Sequence, residues 1–148
     1  MSPPLARARI VAAARSWIGT PYHHQASLKG VGCDCLGLVR GLWRELVGPE
    51  PEPVPPYSPD WAEASGRETL IEAGLRHFRP LAPGEIGAGD VAVFRWRPHW
   101  PAKHLAVATG AGTLVHAYDA AGAVVEAPFA RAWVRRVDCG FRFPGVID

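Results

Sequence analysis

No apolar run in this sequence approaches the roughly 20 residues that a membrane-spanning helix needs, so no membrane insertion is expected. Neither sign of charge dominates. Sixteen lysines and arginines against 14 aspartates and glutamates leave a net +2, too little to point to nucleic acid. Cysteine is scarce and odd in number. There are three, two of them nearly adjacent, which argues against a disulfide framework and fits a reducing site of synthesis or an active thiol. The start, Met1-Ser2-Pro3-Pro4, has no charged region followed by an apolar one, so no secretory signal is expected. No internal repeat is visible. What is abundant is 16 glycines, 15 prolines and six tryptophans, a composition of many loops and several large anchors. A chain of 148 residues is expected to form one domain, residues 1–148, long enough for a real core.

The stretch from Gly30 to Trp43 organises the rest. Its first part is too rich in glycine for a helix. Its second part is helical by pattern, with Val39, Leu42, Trp43 and Leu46 recurring at i, i+3, i+4 and i+7. Asp34 is a good N-cap, which makes Cys35 the first helical residue. A thiol there faces unpaired backbone N–H groups and the positive end of the helix dipole. Both favour the nucleophilic thiolate, and the same N–H groups can stabilise an oxyanion. The plainer alternative is that Cys35 is a small core residue.

Around this stretch, residues 5–18 read as a first helix. Leu5, Ile10, Val11, Ala14, Trp17 and Ile18 form its buried side, and Arg7, Arg9 and Arg15 its solvated face. Gly19-Thr20-Pro21 ends it, and Tyr22-His23-His24-Gln25 follows in extended or loop form. His23 and His24 with Cys33 and Cys35 make a donor set whose spacing matches no standard zinc pattern, so no metal is expected. The cysteine helix runs to about Val47 and stops at Gly48-Pro49. Residues 48–59 are proline-rich and stiff, a spacer along the surface or a wall of the cleft. Ser58-Pro59 starts a helix over residues 59–78 that buries Trp61, Ala64, Ile71, Leu75 and Phe78 and is weakened by Gly66 and Gly74.

Strands follow. Residues 91–94 form a short buried one, and 95–101 an aromatic, basic loop. Residues 104–109 and 113–118 form a hairpin whose three-residue loop has Gly112 left-handed. That loop pairs Thr109 with Thr113, hence Ala106 with His116 and His104 with Tyr118. His104 and His116 then project from one face as diagonal neighbours; a loop of two or four residues would separate them. Further strands are expected near 123–126, 133–137 and 141–143. Helices first and an antiparallel sheet later give an α+β class. A thiol on a helix start, a histidine to act as base and a second to orient it are what acyl transfer through a thioester requires. From the residues alone, an enzyme and a set of bystander side chains both remain open.

Five pieces in order resemble one family. Gly19-Thr20-Pro21-Tyr22 and Gly32-Cys33-Asp34-Cys35-Leu36-Gly37-Leu38-Val39 are similar to the signature of the NlpC/P60 cysteine peptidases. Gly89-Asp90-Val91-Ala92-Val93-Phe94, His104-Leu105-Ala106-Val107 and Val115-His116-Ala117 resemble three later segments of that family. The resemblance implies a papain-like α+β fold with the nucleophile helix packed on an antiparallel sheet. It makes Cys35 the nucleophile, His104 the base and His116 the orienting residue. It also places Tyr22 at the oxyanion site and Asp34 at the substrate, with no metal or organic cofactor. It implies cleavage of peptidoglycan stem peptides between D-glutamate, through its γ-carboxyl, and a diamino acid.

The wording Asp-Cys-Leu-Gly and the proline-rich insert look most like the cell-wall peptidases found with tail genes of phages and gene transfer agents. That implies phage-like tail or baseplate partners, synthesis in the cytoplasm and action in the periplasm of a target cell. One departure stands out: Leu36 occupies the place of a serine that helps bind a free N-terminal amine in some members. Two rival readings follow. One is a non-catalytic tail or baseplate component, and the other an amidase or acyltransferase of the same superfamily.

Overall fold

The switch from glycines to helix falls at Asp34. Helix α2 spans Cys35–Leu46, and the Asp34 carboxylate accepts the Gly37 N–H at 2.7 Å. Its apolar stripe is buried, with Leu38 and Leu42 fully covered and Val39, Trp43 and Leu46 nearly so. The structure is a computed structural model and describes residues 4–54 and 68–147.

The first helix is shorter than its pattern. Helix α1 spans Arg7–Arg15, and Leu5–Ala6 form strand β1, parallel to β10 (Val146–Ile147) near the other end of the chain. Ile10, Val11, Ala14 and Trp17 are buried as expected, but Ile18 is exposed. It lies in the turn beyond Arg15, where helical periodicity no longer sets its direction. Arg7 is more than a solvated residue. With Arg142 it neutralises Asp90, which is completely buried, at 3.2 and 3.0 Å. Losing one arginine leaves the carboxylate on the other and on the Gly87 N–H, so the cost stays below the about 3–5 kcal/mol of a buried charge left unpaired.

Strands β2 (Ser27–Leu28) and β3 (Gly32–Cys33) form a small hairpin before α2. Helix α3 spans Thr69–His77, the end of the helix expected over 59–78; Ser58, Trp61, Ala64 and Gly66 lie outside the described residues. Leu75 is exposed rather than buried, because the inward face of α3 runs through Leu70 and Gly74. Gly74 does more than weaken the helix: a Cβ there would stand 2.4 Å from the Phe141 ring, so the glycine lets that ring pack.

The main sheet has six strands in the order β4 (Arg79–Leu81), β9 (Val137–Arg142), β5 (Val91–Phe94), β6 (His104–Ala108), β7 (Thr113–Tyr118) and β8 (Ala123–Pro128). All neighbours are antiparallel. The strand expected at 133–137 is instead a short helix, α4 (Arg131–Val134), and β9 begins after it. Ala130, Arg131 and Ala132 favour the helical turn, and the Trp133 ring packs onto the sheet from it. The strand expected at 141–143 is the end of β9, which stops at Arg142.

Alternation divides the sheet into two faces. Val91, Val93, Leu105, Val107 and Val115 pack against α1 and α2. Ala92, Phe94, Ala106 and Leu114 face the other way, toward Phe129 and Trp133. His104 is paired with Phe94 and shares its face. Helix α2 therefore lies on one face and the histidines on the other.

Candidate active site

The hairpin register follows from its loop. Val107 pairs with Val115 and Ala108 with Leu114, which brings Thr109 opposite Thr113; Gly110 and Gly112 both have positive φ. Continued along the strands, this register sets His116 opposite Ala106 and one pair away from His104. His104 Nε2 and His116 Nδ1 are 2.7 Å apart, and both rings are buried. For His104 to take a proton at Nδ1, its Nε2–H must donate to His116 Nδ1, which fixes both tautomers.

Cys35 reaches this pair at the end of a strand. It sits where α2 begins, and its thiol donates to the Lys103 carbonyl at 3.7 Å, one residue before β6. The turn that holds it is tight. Asp34 Oδ2 accepts the Gln25 N–H at 2.8 Å, and a Cβ on Gly37 would lie 1.9 Å from the Ala26 carbonyl oxygen. Any side chain at 37 would push this loop, and Cys35 with it, out of place. Cys35, His104, Tyr22, Asp34 and Leu36 line one cavity of about 270 Å³, closed further by Trp96 and Tyr118. His116 stands behind His104, stacked on Tyr118 at 5.0 Å between ring centres.

All five residues expected at the site are thus in or directly behind one cavity, but two expectations change. Asp34 is almost fully buried, and its oxygens are taken up by the N–H groups of Gly37 and Gln25. Its evident work is to cap the helix. The thiol, secondly, is not driven toward thiolate by the helix start. Burial, then the neighbouring Asp34 charge, push Cys35 up to about 12, while the N–H groups of Leu105, Leu36 and Cys35 itself pull only partly back. Burial and then His116 push His104 down to about 3, and burial pushes His116 down to about 4. Burial penalises either charge alone, so the resting pair is thiol and neutral imidazole. Burial also holds the Tyr22 hydroxyl in its protonated form, where it remains a donor.

Three aromatic residues here carry no local sequence signal for the site. Trp96 stacks on His104 with centres 5.3 Å apart, while Tyr118 and Trp133 lie 5.9 and 5.6 Å from it. Trp96 belongs to the aromatic, basic loop over 95–101, and it lines the cavity. The start of the proline-rich stretch is not a wall of this cavity. Glu50 and Glu52 pair with Arg40, Arg44, Arg76 and His77, and line a separate apolar pocket between α2 and α3. Its later residues, 55–59, lie outside the described residues.

The histidine pair predicts an acid-sensitive fold. Both rings have an ordinary value of 6.5 and are held well below it, so the unfolded chain binds more protons between pH 6.5 and about 3. Their contribution to stability is complete above pH 6.5 and is lost as pH falls through that window. The raised thiols act at the other end: Cys33, Cys35 and Cys139 are held above their ordinary 9.0, so stability declines as pH rises past 9.0. Urea midpoints should form a plateau between these limits. His116→Asn should flatten the acid limb, and an equally steep acid limb in that variant would contradict the burial of the pair.

No family model matches the chain, and no curated protein does. Solved structures do. The NlpC/p60 domain of the peptidoglycan hydrolase SagA is 22% identical with a TM-score of 0.63, over 94% of this chain and 100% of that one. An NlpC/P60 family protein from Bacillus cereus is 18% identical with a TM-score of 0.68, over 95% of this chain and 41% of that one. The peptidoglycan hydrolase RipB from Mycobacterium tuberculosis is 24% identical with a TM-score of 0.57, over 90% and 62%. The chain thus spans the whole SagA domain but less than half of the Bacillus cereus protein. With its antiparallel sheet and helix α2 packed on one face, the chain has the papain-like NlpC/P60 fold.

Proposed function

We propose that this protein is a cysteine peptidase that cleaves peptidoglycan stem peptides at the γ-D-glutamyl–diamino acid bond through a thioester. The observation that carries this reading is the thiol on a helix start, sharing a cavity with a histidine joined to a second histidine at 2.7 Å. The likeness to domains of peptidoglycan hydrolases supports the substrate class.

The chemistry follows from the neutral resting pair. Thiolate and imidazolium are each costly alone in the cavity, but formed together they offset one another. The thiol proton therefore passes to His104 Nδ1 as sulfur attacks the γ-carbonyl carbon. The oxyanion is met by the Cys35 backbone N–H and the Tyr22 hydroxyl. When the C–N bond breaks, His104 returns the proton to the leaving amine and the acyl group stays on sulfur. Water then attacks the thioester, His104 takes its proton, and the thiol is restored as the new carboxyl leaves. His116 accepts the Nε2–H of His104 throughout.

The substrate end is also readable. The Asp34 oxygens are occupied by backbone N–H groups, and Leu36 puts hydrocarbon where a serine would offer a hydroxyl. Neither supports ion pairing with a free amine, so stem peptides still joined to glycan should serve. Acylating the N-terminal amine of a model stem peptide should change kcat/KM by no more than about threefold. A fall beyond about tenfold, equivalent to ~1.4 kcal/mol, would overturn this preference.

Delivery on a tail-like particle, with tail or baseplate proteins as partners and the periplasm of the target cell as the place of action, belongs to the same proposal. The Asp-Cys-Leu-Gly wording and the proline-rich insert support it. Immunodetection in purified particles tests it, and absence from intact particles would overturn it.

A further inference from the structure

Trp133 does not line the catalytic cavity, yet its indole touches nearly every ring around the base. Its centre lies 5.6 Å from His104 and 5.1 Å from His116, tilted over the first and perpendicular to the second. It also lies 5.2 Å from Phe94, 5.7 Å from Trp96 and 5.4 Å from Tyr118. The turn carrying it is firmly seated. The N–H groups of Trp133 and Val134 bond to the Ala130 carbonyl, and the Arg136 carbonyl accepts the Arg95 N–H at 2.9 Å, next to Trp96. We propose that Trp133 is a positioning residue: its indole is the wall that holds the His104–His116 pair in relay geometry and keeps water from the side of both rings away from the thiol.

The physical reasoning has two parts. A histidine pair aligned within hydrogen-bond distance loses its geometry if either ring can rotate, and rings of this size are held by packing. Among the described residues, Trp133 is the one side chain in ring contact with both imidazoles that comes from outside the β5–β7 strands and their connecting loops. Water admitted behind the rings would also solvate the imidazolium form and ease protonation.

The charged and titratable neighbours do not supply an alternative cause. Cys35 and Lys103 lie on the thiol side, Tyr118 stacks on His116, and Tyr22, Asp34 and Asp119 line the cavity with His24. From α4, Arg131 and Arg135 are exposed and Arg136 turns back to the Ala132 carbonyl. Burial, with the second ring in the case of His104, accounts for the depressed values of the pair.

The role in catalysis rests on the function proposed above, but the positioning itself can be read without substrate. ¹⁵N-labelled histidine in the full chain reports the protonation of each ring by NMR. In the wild type both rings should remain neutral down to about pH 5.5, whereas in Trp133→Ala they should titrate close to the ordinary histidine value of about 6.5. On stem peptide, kcat should fall on the order of 10- to 100-fold with KM within about twofold, and Trp133→Phe should recover most of the loss.

Phe129→Leu is the control. Phe129 packs against Phe94 in the same cluster and makes no ring contact with either histidine, so it should lower stability without moving the titration. If Trp133→Ala does not fold, Trp133→Phe should still show a smaller upward shift. Wild-type titration in every folded Trp133 variant, or the same shift in Phe129→Leu, would overturn the proposal. A protein that cuts no peptidoglycan but shows the shift would overturn the function and leave the positioning intact.

Discussion

Cys35→Ala should abolish release of peptides from purified peptidoglycan, a loss on the order of 10⁵-fold, with the fold unchanged. The thiol donates a long, weak hydrogen bond to the Lys103 carbonyl at 3.7 Å, and alanine is well tolerated at the first position of a helix. Thermal unfolding should therefore shift little. Cys33 is the natural comparison, being two residues away and chemically identical. It is completely buried in the main core and lies on β3, before the helix. Cys33→Ala should cost about 1 kcal/mol of stability and leave most of the activity per folded molecule. Alkylation by a small electrophile should spare Cys33 for the same reason. Modification chiefly at Cys33, or loss of activity equal to that of Cys35→Ala, would contradict the assignment.

Loss of His104 should be nearly as severe. Nucleophile and base act as one unit, so removing either leaves the other without a function, and His104→Ala should fall within about tenfold of Cys35→Ala. His116 acts on the base rather than on the substrate. In the proposed mechanism it accepts the Nε2–H of His104 across the 2.7 Å contact, fixing the tautomer that presents Nδ1 to the thiol and supporting the imidazolium that forms. His116→Ala should cost roughly 10- to 100-fold, and His116→Asn, which retains an acceptor, should cost less. Equal and complete loss in His104→Ala, His116→Ala and His116→Asn would contradict the orienting role. Steady-state kinetics on a stem peptide, with folding checked by circular dichroism, separates these outcomes.

The parts of this site that were legible in the sequence are those set by local rules. Asp34 before an apolar period of 3.6 marks the start of α2 and therefore the place of Cys35. Gly110-Ala111-Gly112 sets a three-residue loop, and the two-residue period of the strands then brings His104 and His116 together. Contacts between distant residues were not legible. Trp133 reaches His104 across the sheet, and no period within residues 131–137 announces that its strand-like pattern is a helical turn. Arg7 reads as solvated until Asp90 is brought to it. The protonation of Cys35 belongs to the same class. The helix start favours thiolate by a local rule, while desolvation depends on what the whole fold places around the sulfur, and here desolvation is the larger effect.

The measurement that bears most directly on the account is mass spectrometry of purified sacculi digested in ¹⁸O-labelled water, with Cys35→Ala in parallel. The account predicts paired products, one ending in γ-D-glutamate and the other beginning at the diamino acid. A single ¹⁸O should enter the new glutamyl carboxyl, because water resolves the thioester. None of these products should form with Cys35→Ala. Stem peptides released whole, cleavage within the glycan, or the same products from wild type and Cys35→Ala would contradict it.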